Sequence, residues 1–344
     1  MPTDALINTE LIAYHQARAK GGVGLIVTQV AGVHETARYT SHMLMATEDT
    51  CIEGYRQLAD VCHVEDCTVF SQLFHPGREI MESADGLLAL AYAPSVSPNE
   101  RFHVMPRALE EDLIDEIVAG YAASARRMFM AGLDGVEFVA SHGYLPIQFL
   151  NPEVNQRTDE YGGCFDNRLR FFREALAAMR AQTDENFVIG MRISTDDRDD
   201  TGLESDDVLA CCVALEPLLD YVSVTAGTSA TIGGAVRIAL PMACPSGYLA
   251  NDAKRFTDRL GIPVFVTGRI NQPHEAEAII AGGFADMPAM SVPTTSGLVL
   301  AAIRHASAIF TATIRSLAFN IQKPAGNFTT ARCLVPKDPV ASSL

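Results

Sequence analysis

Short apolar runs alternate with longer segments of helical period through most of this chain of 344 residues. Apolar runs of about four to eight residues that end at glycine, proline or polar residues predict buried strands, and apolar positions three or four residues apart predict amphipathic helices. Alternation of the two is typical of βα units around a parallel sheet. The predicted strands span 24–30, 67–73, 135–140, 187–193, 220–225, 263–267 and, as a weaker candidate, 285–290.

Helices are predicted between these strands. The first begins at Thr9, which we expect to be its N-cap, and ends at Gly21 behind two basic residues. Two later helices each place their apolar residues on one face. These faces consist of Ile114, Ile117, Val118, Tyr121, Ala125 and Met128 in one helix, and of Leu169, Phe172, Leu176 and Met179 in the other.

Two features interrupt the alternation. The chain opens on a helix, so six good strands and one weak strand fall short of a closed eight-stranded barrel and leave two sheet edges unpaired. The stretch 87–106 is rich in proline and has no clear period. Because it interrupts a βα unit, it predicts a lid or a hairpin over one end of the sheet rather than a linker.

The composition limits the class of protein. A hydrophobic content of 48% is enough for a large core, and α/β barrels of this length commonly form one domain. The net charge of −16 argues against a nucleic-acid partner, which needs a basic surface. The N terminus lacks a signal-peptide pattern, and no apolar run reaches the roughly 18 residues of a membrane span. Eight cysteines without Cys-x-x-Cys spacing indicate free thiols, so we expect a soluble cytoplasmic protein.

One polar loop carries most of the candidate chemistry. His142 and Tyr144 follow the strand that ends near Ala140, and the loop then runs through 157–163 to Asn167 and Arg168. In α/β barrels the active site is built at the carboxyl ends of the strands. A long loop rich in His, Tyr, Gln, Asn and Arg at that point therefore predicts an active site.

The sequence of this loop resembles that of one enzyme family. Residues 141–171 read SHGYLPIQFLNPEVNQRTDEYGGCFDNRLRF, which resembles the signature of the Old Yellow Enzyme family of FMN-dependent oxidoreductases. With TAGTSATIGGAV at 225–236, the chain is most similar to the amine-oxidising branch, which includes trimethylamine dehydrogenase and N-methylproline demethylases. The resemblance covers residues 3–287. It implies an α/β fold, the (β/α)8 TIM barrel, here with its first strand missing and its last βα unit disrupted.

The resemblance implies roles for two strand-end residues and one turn. Arg192 matches the family's arginine beside the flavin pyrimidine, where a cation stabilises the reduced, anionic ring, and Gln72 matches a glutamine that hydrogen-bonds the ring. Gly268 and Arg269 resemble one half of the FMN-phosphate site. Without the resemblance, Arg192 would more simply form a surface ion pair, and Gln72 would cap neighbouring backbone.

His142 and Tyr144 resemble the family's catalytic pair above the flavin. There the histidine helps to hold the polar group of the substrate, and the tyrosine donates a proton in enzymes that reduce activated alkenes. Three residues before His142, alkene reductases usually carry a second histidine, whereas this chain has Val139. The apolar residue removes one donor for a carbonyl oxygen and suits a secondary or tertiary amine better. Without the family match, a histidine on a barrel rim would more often be structural.

The resemblance stops after Met287. The second half of the phosphate site would fall at 289–292, where its glycine and arginine are absent. Relatives in this branch continue into a Cys-x2-Cys-x3-Cys-x11-Cys motif for a 4Fe-4S cluster, but 296–327 contains no cysteine. A one-base shift of the reading frame over 297–327 permits RACIGCNQACIGHF followed by HRNYPISCIQYPETGRE, which restores that spacing. We therefore interpret 1–290 as a partial FMN-binding barrel domain and 291–344 as an aberrant tail, a frame-shifted remnant of an iron–sulfur segment.

The resemblance implies FMN as cofactor and a small-molecule substrate, with oxidative demethylation of an N-methylated amine or amino acid as the favoured activity. Two alternatives stay open. One is an NAD(P)H-dependent alkene reductase, and the other is a catalytically dead remnant that keeps the barrel core but does not hold FMN. The expected redox partners are NAD(P)H or an electron-transfer flavoprotein. Neither nucleic acid nor a membrane is an expected partner, and homo-oligomerisation stays open.

Overall fold

Strands and helices alternate through much of the described chain. The structure is a computed structural model that describes residues 5–80, 90–198 and 202–290. The strands are β1 (Leu25–Gly32), β2 (Leu44–Met45), β3 (Thr68–Phe74), β4 (Tyr92–Ala93), β5 (Arg107–Ala108), β6 (Gly135–Ala140), β7 (Val188–Ser194), β8 (Tyr221–Thr225), β9 (Val264–Thr267) and β10 (Met287–Ala289). The helices are α1 (Thr9–Lys20), α2 (Cys51–His63), α3 (Glu111–Met130), α4 (Leu145–Leu150), α5 (Phe165–Arg168), α6 (Arg170–Arg180), α7 (Ser205–Leu215), α8 (Ile232–Ile238), α9 (Ala250–Thr257) and α10 (Pro273–Ala281).

Eight strands form one parallel sheet in the order β10-β9-β8-β7-β6-β3-β1-β2. The edges are β2 and β10, and within the described residues no pairing joins them. The six predicted strands correspond to β1, β3 and β6–β9, and the weak seventh candidate corresponds to β10. The architecture is thus the curled parallel sheet of a TIM barrel that stays open, which confirms the predicted fold class.

The predicted element bounds agree closely with the observed ones. Each predicted strand begins and ends within two residues of its observed counterpart, and β6 coincides with the prediction. The prediction for the cap of α1 is wrong. Asn8 is the N-cap, because its side-chain oxygen accepts a hydrogen bond of 3.0 Å from the Leu11 N–H, and Thr9 is the first helical residue.

The main core lies between the outer face of the sheet and the helices. Val136 and Phe138 of β6 are fully buried, and the Tyr121 ring of α3 lies 4.9 Å from the Phe138 ring. The predicted apolar face of α3 is buried except for Val118, which is half-buried. Helix and strand therefore bury the faces that their different periods predict.

Aromatic rings fill the inside of the sheet. Phe70 stacks on Tyr221 with 5.8 Å between ring centroids, and Tyr221 stacks on Phe265 at 4.4 Å. In barrels the interior is packed with side chains, and the site is built above this packing at the carboxyl ends of the strands. These rings therefore form the base on which the site is built.

Residues 90–108, the covering segment, lie over part of the carboxyl-end rim. Its strands β4 and β5 pair in parallel, so the prediction of a hairpin is wrong, because a hairpin joins antiparallel strands. The Arg101 N–H donates to the Ala230 carbonyl at 3.2 Å, which ties the segment to a loop that follows β8. Residues 87–89 of the predicted lid lie outside the described residues. Across the described ranges, none of the helices is both long and apolar enough for a membrane span.

Candidate active site

Side chains from neighbouring strands meet at the carboxyl-end mouth of the sheet. The strand register places Gln72 beside Glu137, and Arg192 between Val139 and Ser223. Because alternate residues of a strand point to the same face, these side chains share the inner face. The sheet thus brings together Gln72 and Arg192, the two residues that the sequence predicts at the flavin ring.

Arg192 places a positive charge at this mouth. Its guanidinium nitrogens donate to Ser223 Oγ at 3.2 Å and to Thr267 Oγ1 at 3.0 Å. The ion pairs found among the described residues do not include Arg192, so the surface ion-pair alternative does not describe it there. Two hydroxyls fix the direction of the guanidinium without neutralising its charge, which stays available for an anion.

Gln72 lies beside a buried carboxylate that the sequence analysis did not single out. Gln72 Nε2 donates to Glu137 Oε1 at 2.7 Å, and the Tyr221 hydroxyl donates to Glu137 Oε2 at 2.9 Å. Glu137 is 2% exposed. Desolvation and the nearby Glu137 charge raise the pKa of Tyr221 well above its ordinary value, so the phenol keeps its proton. With its nitrogen on Glu137, the Gln72 amide directs its carbonyl oxygen away from the carboxylate.

His142 occupies a strained turn directly after β6. Its φ is +59°, in the left-handed region that residues other than glycine rarely adopt. The His142 N–H donates to Ser194 Oγ at 2.9 Å, and its carbonyl accepts from the Ser229 N–H at 2.8 Å. The last residue of β7 and the loop after β8 therefore hold the turn from two sides. Strain that neighbouring elements maintain in this way is typical of functional turns.

The His142 imidazole is neutral in this environment. The pKa of His142 is lowered to about 3: burial is the largest cause, the Arg192 charge adds to it, and a hydrogen bond to the Gly227 backbone opposes both. Within the described part of the chain, His142 Nδ1 is buried without a hydrogen-bond partner. A buried polar atom of this kind needs an explanation, and a ligand that contacts the imidazole supplies one.

Tyr144 lies in an aromatic cluster at the same mouth. Its ring is 4.5 Å from the Phe74 ring and 6.2 Å from the rings of both Tyr39 and His142, and all three contacts are close to perpendicular. Burial raises the pKa of Tyr144 far above its ordinary value, so the phenol is protonated at neutral pH. The structure therefore brings His142 and Tyr144 together, and it adds Tyr39, which the sequence analysis missed.

Val139 belongs to the apolar wall of the mouth. It is 2% exposed and packs in a cluster with Phe74, Met43 and Met45. The register also places it beside Arg192. The mouth is therefore polar on the side of β7 and β8 and apolar beside His142.

Gly268 and Arg269 follow the last residue of β9. A Cβ on Gly268 would lie 3.1 Å from the Leu249 side chain, so the close packing there favours glycine. Arg269 has a φ of +52°, and its guanidinium donates to the Cys244 carbonyl and lies 3.5 Å from Ser246 Oγ. The predicted phosphate residues are thus at the right end of the sheet, but the Arg269 charge is turned toward a neighbouring loop.

The donor set suits the ring of FMN better than its phosphate. A cation outside any ion pair of the described residues, a side-chain amide and an unsatisfied imidazole nitrogen surround one mouth, which matches the polar edge of an isoalloxazine. On the phosphate side, Arg269 already donates to a backbone carbonyl. The counterpart turn at 289–292 falls largely outside the described residues.

An open α/β barrel with such groups at its carboxyl-end rim belongs to the class of barrel enzymes that bind a cofactor at that rim. The sequence model of the NADH:flavin oxidoreductase / NADH oxidase family matches residues 1–294. The chain therefore belongs to this family.

Relatives are 30% to 35% identical to the chain over the aligned residues. A metal reductase of Desulforamulus reducens is 35% identical over 286 residues, which cover 83% of this chain and 42% of the relative. An N,N-dimethylglycine/sarcosine dehydrogenase of Chromohalobacter salexigens is 30% identical, with 84% and 42% covered. An NADPH dehydrogenase of Bacillus velezensis is 30% identical, with 80% and 78% covered. The chain thus spans less than half of the first two relatives and most of the third.

Solved structures share the fold. Histamine dehydrogenase from Rhizobium sp. 4-9 superposes with a TM-score of 0.76 at 25% identity, with 89% of this chain and 44% of that chain covered. An old yellow enzyme homologue from Zymomonas mobilis gives a TM-score of 0.69 at 21% identity, with 84% and 80% covered. The second likeness supports the barrel fold alone.

Proposed function

We propose that this chain forms the flavin site of an FMN-dependent oxidoreductase that demethylates an N-methylated amine or amino acid. The observation that carries the proposal is the apolar Val139 wall beside a neutral His142. Similarity to a dehydrogenase named for N,N-dimethylglycine and sarcosine supports the same substrate class. Membership of a flavin oxidoreductase family supports FMN as the cofactor.

Gln72 and Arg192 would hold the ring of FMN, and Gly268 with Arg269 would hold its phosphate. Bound FMN supplies an acceptor for two electrons and a proton equivalent. Arg192 contributes a fixed positive charge that stabilises negative charge on the bound ring. Ser223 and Thr267 keep the guanidinium in place through the two hydrogen bonds described above.

The substrate side of the mouth combines neutral polar groups with apolar ones. His142 Nδ1 is free to hydrogen-bond a polar group of the substrate, and Tyr144 keeps its proton. Val139, Phe74 and Met43 exclude water from the same region. A low-dielectric wall favours the neutral form of an amine, which is the form that can be oxidised.

Alkene reduction with NAD(P)H is the second candidate. The observation in its favour is the protonated Tyr144 phenol next to the His142 ring, because such a phenol can donate a proton to a carbanion-like centre. NADPH dehydrogenases are among the relatives. Against it, Val139 offers no second donor to a carbonyl oxygen.

Anaerobic bleaching of the bound flavin separates the two candidates. We expect N-methylproline or sarcosine to bleach the flavin at least about tenfold faster than NADH or NADPH does. The variant Val139→His should reverse the order by adding a donor for the carboxamide oxygen of the nicotinamide, and Val139→Leu is its matched apolar control. Faster bleaching by NADPH in the unmodified chain would assign it to the reductases. If no flavin binds, the remaining alternative is the non-catalytic remnant.

The redox partners belong to the same proposal. An electron-transfer flavoprotein would accept the electrons from a demethylase, and NAD(P)H would supply them in a reductase. Within the described ranges, no group of three or more His, Cys, Asp or Glu side chains could hold a metal ion. The predicted iron–sulfur remnant lies outside those ranges.

A further inference from the structure

A buried ion pair lies directly behind the turn that presents His142. Glu79 is 0% exposed and Arg78 is 8% exposed, and Arg78 Nε lies 3.4 Å from Glu79 Oε1. Neither residue has a role in the flavin site proposed above. Burial of two charges is costly unless each gains further hydrogen bonds, so the partners of the pair indicate what it does.

On one side, the pair holds the covering segment. Arg78 donates through one guanidinium nitrogen to the Ser97 and Pro98 carbonyls, each at 3.1 Å. Glu79 Oε2 accepts a hydrogen bond from the Asn99 side-chain amide. Both charges therefore fasten the same short stretch of the covering segment to the rim.

On the other side, Glu79 reaches the strained turn through Ser229. Ser229 Oγ lies 3.1 Å from Glu79 Oε2 and 2.9 Å from the His142 carbonyl oxygen. The Ser229 backbone N–H already donates to that carbonyl, so the hydroxyl proton is available to the carboxylate. A Cβ on Gly143 would lie 3.6 Å from Glu79 Oε1, which shows how closely the carboxyl approaches the turn.

We propose that Glu79 is a positioning residue whose buried carboxyl joins the covering segment and the loop 228–230 to the strained turn, so that His142 and Tyr144 are held at the mouth. The inference rests on the proposed function, in which these two side chains face the substrate. The proposal predicts a coupling: when the covering segment is loosened, the turn that carries His142 is loosened as well. A purely local role of Glu79 in either element alone would not produce such coupling.

Hydrogen exchange of the full chain, measured without flavin or substrate, tests the coupling. Glu79→Ala should raise exchange about tenfold in three places together. The covering segment and residues 228–230 each lose a hydrogen bond to the carboxyl, and residues 141–144 are joined to it through Ser229. Glu79→Gln keeps an oxygen for Asn99 and Ser229 and should restore most of the protection. Glu100→Ala, at an exposed residue of the same segment, is the control and should change none of the three.

A double-mutant cycle with Ser229→Ala completes the test. If Glu79 acts on the turn through Ser229, the two substitutions together should raise exchange at 141–144 by clearly less than the product of their separate effects. A combined effect equal to that product, or faster exchange confined to the covering segment, would overturn the proposal. Should Glu79→Ala not fold, Asn99→Ala in the same cycle gives the decision, because it removes the link to Glu79 Oε2 from the side of the covering segment. A chain that lacks demethylase activity but shows the coupling would refute the proposed function and leave this inference standing.

Discussion

Arg192 and His142 lie at the same mouth in different electrostatic surroundings. The Arg192 guanidinium donates to the Ser223 and Thr267 hydroxyls and belongs to no ion pair of the described residues. His142 loses its charge, because burial and the same Arg192 lower its pKa to about 3. The positive charge of Arg192, which would stabilise an anionic flavin ring, also lowers the pKa of the neighbouring His142 imidazole and so favours its neutral form. His142 therefore acts at neutral pH as an uncharged hydrogen-bonding group.

Replacement of Arg192 tests its place at the flavin ring. Arg192→Met should weaken FMN binding by about ten- to a hundredfold, since a hydrogen bond to a charged group contributes about 1.5–3 kcal/mol. Arg192→Lys should lose less FMN affinity, because lysine keeps the positive charge and lacks only the planar guanidinium that donates two hydrogen bonds. Titration by quenching of flavin fluorescence measures both. Arg255→Met, at an exposed arginine paired with Asp206, is the control and should bind FMN as the unmodified chain does. If Arg192→Met also binds FMN as tightly as the unmodified chain, the flavin ring does not lie at Arg192.

His75 makes acid stability a second test at the residue scale. Burial lowers its pKa from 6.5 to about 3, while its Nδ1 accepts from the Gly77 N–H at 3.1 Å. A depressed pKa contributes stability that is fully present above pH 6.5 and is lost as the pH falls toward 3. His75→Asn keeps an acceptor for Gly77 and removes this titration. Between pH 7 and 4 it should lose about 3 kcal/mol less stability than the unmodified chain.

Chemical denaturation at several pH values measures this difference. The variant is expected to be less stable at pH 7, because it loses the contact of 2.9 Å between His75 Nε2 and Thr36 Oγ1. Only the change of the free energy of unfolding with pH tests the prediction. Parallel stability curves for the two proteins would show that His75 does not carry the acid sensitivity.

Among the helices and strands, the start of α1 offers the clearest experiment. Asn8→Ala should lower the free energy of unfolding by about 1 kcal/mol, because it removes the acceptor of the Leu11 N–H. Thr9→Ala should change it by no more than about a few tenths of a kcal/mol, since the exposed Thr9 hydroxyl donates at 3.3 Å to the exposed Glu10 carboxylate. Asn8→Ser keeps the cap and should be close to neutral. Urea unfolding measures all three, and a larger effect at Thr9 would restore the sequence-based assignment.

Elements with a long, consistent pattern could be predicted from the sequence. β6 is buried on both faces and is apolar at every position except Glu137, and its bounds were predicted without error. By contrast, β2, β4 and β5 have two residues each, which is too short for any period to show. The cap of α1 was misassigned because Asn8 and Thr9 are adjacent and both residue types are good caps.

The same contrast holds within the site. His142 and Tyr144 could be placed from the sequence, because both directly follow a clear strand and lie in a recognisable loop. Glu137 could not, since its partners Gln72 and Tyr221 are 65 and 84 residues away along the chain. Glu79 is 150 residues from Ser229. Long-range partners of this kind exist only once the sheet has formed.

For the whole molecule, the open sheet ends at the edge strands β2 and β10, which differ in burial. Leu44 and Met45 of β2 are buried, whereas all three residues of β10 are half-buried. The β10 side of the sheet is therefore the less complete one. The ring-binding residues come from β3 and β7, away from these edges, whereas Gly268 and Arg269 follow β9 beside the edge strand β10.

This asymmetry predicts how flavins stabilise the whole chain. Any ligand that binds only the folded state raises stability, by about 2.7 kcal/mol at a hundred times its Kd. Riboflavin has the ring without the phosphate. Because the ring residues are well placed and Arg269 is turned to the Cys244 carbonyl, FMN should bind less than about tenfold more tightly than riboflavin, a difference below about 1.4 kcal/mol. Thermal unfolding over a range of flavin concentrations measures both affinities.

Arg269→Ala supplies the internal comparison for this measurement. It should lower FMN affinity only slightly and leave riboflavin affinity unchanged, whereas Arg192→Met should weaken both ligands equally, because the ring is common to them. If FMN instead binds a hundredfold more tightly than riboflavin and Arg269→Ala abolishes the difference, the phosphate site is complete and Arg269 reorients on binding. If neither flavin raises the unfolding temperature, the barrel retains its core without its cofactor, and the remnant alternative is correct.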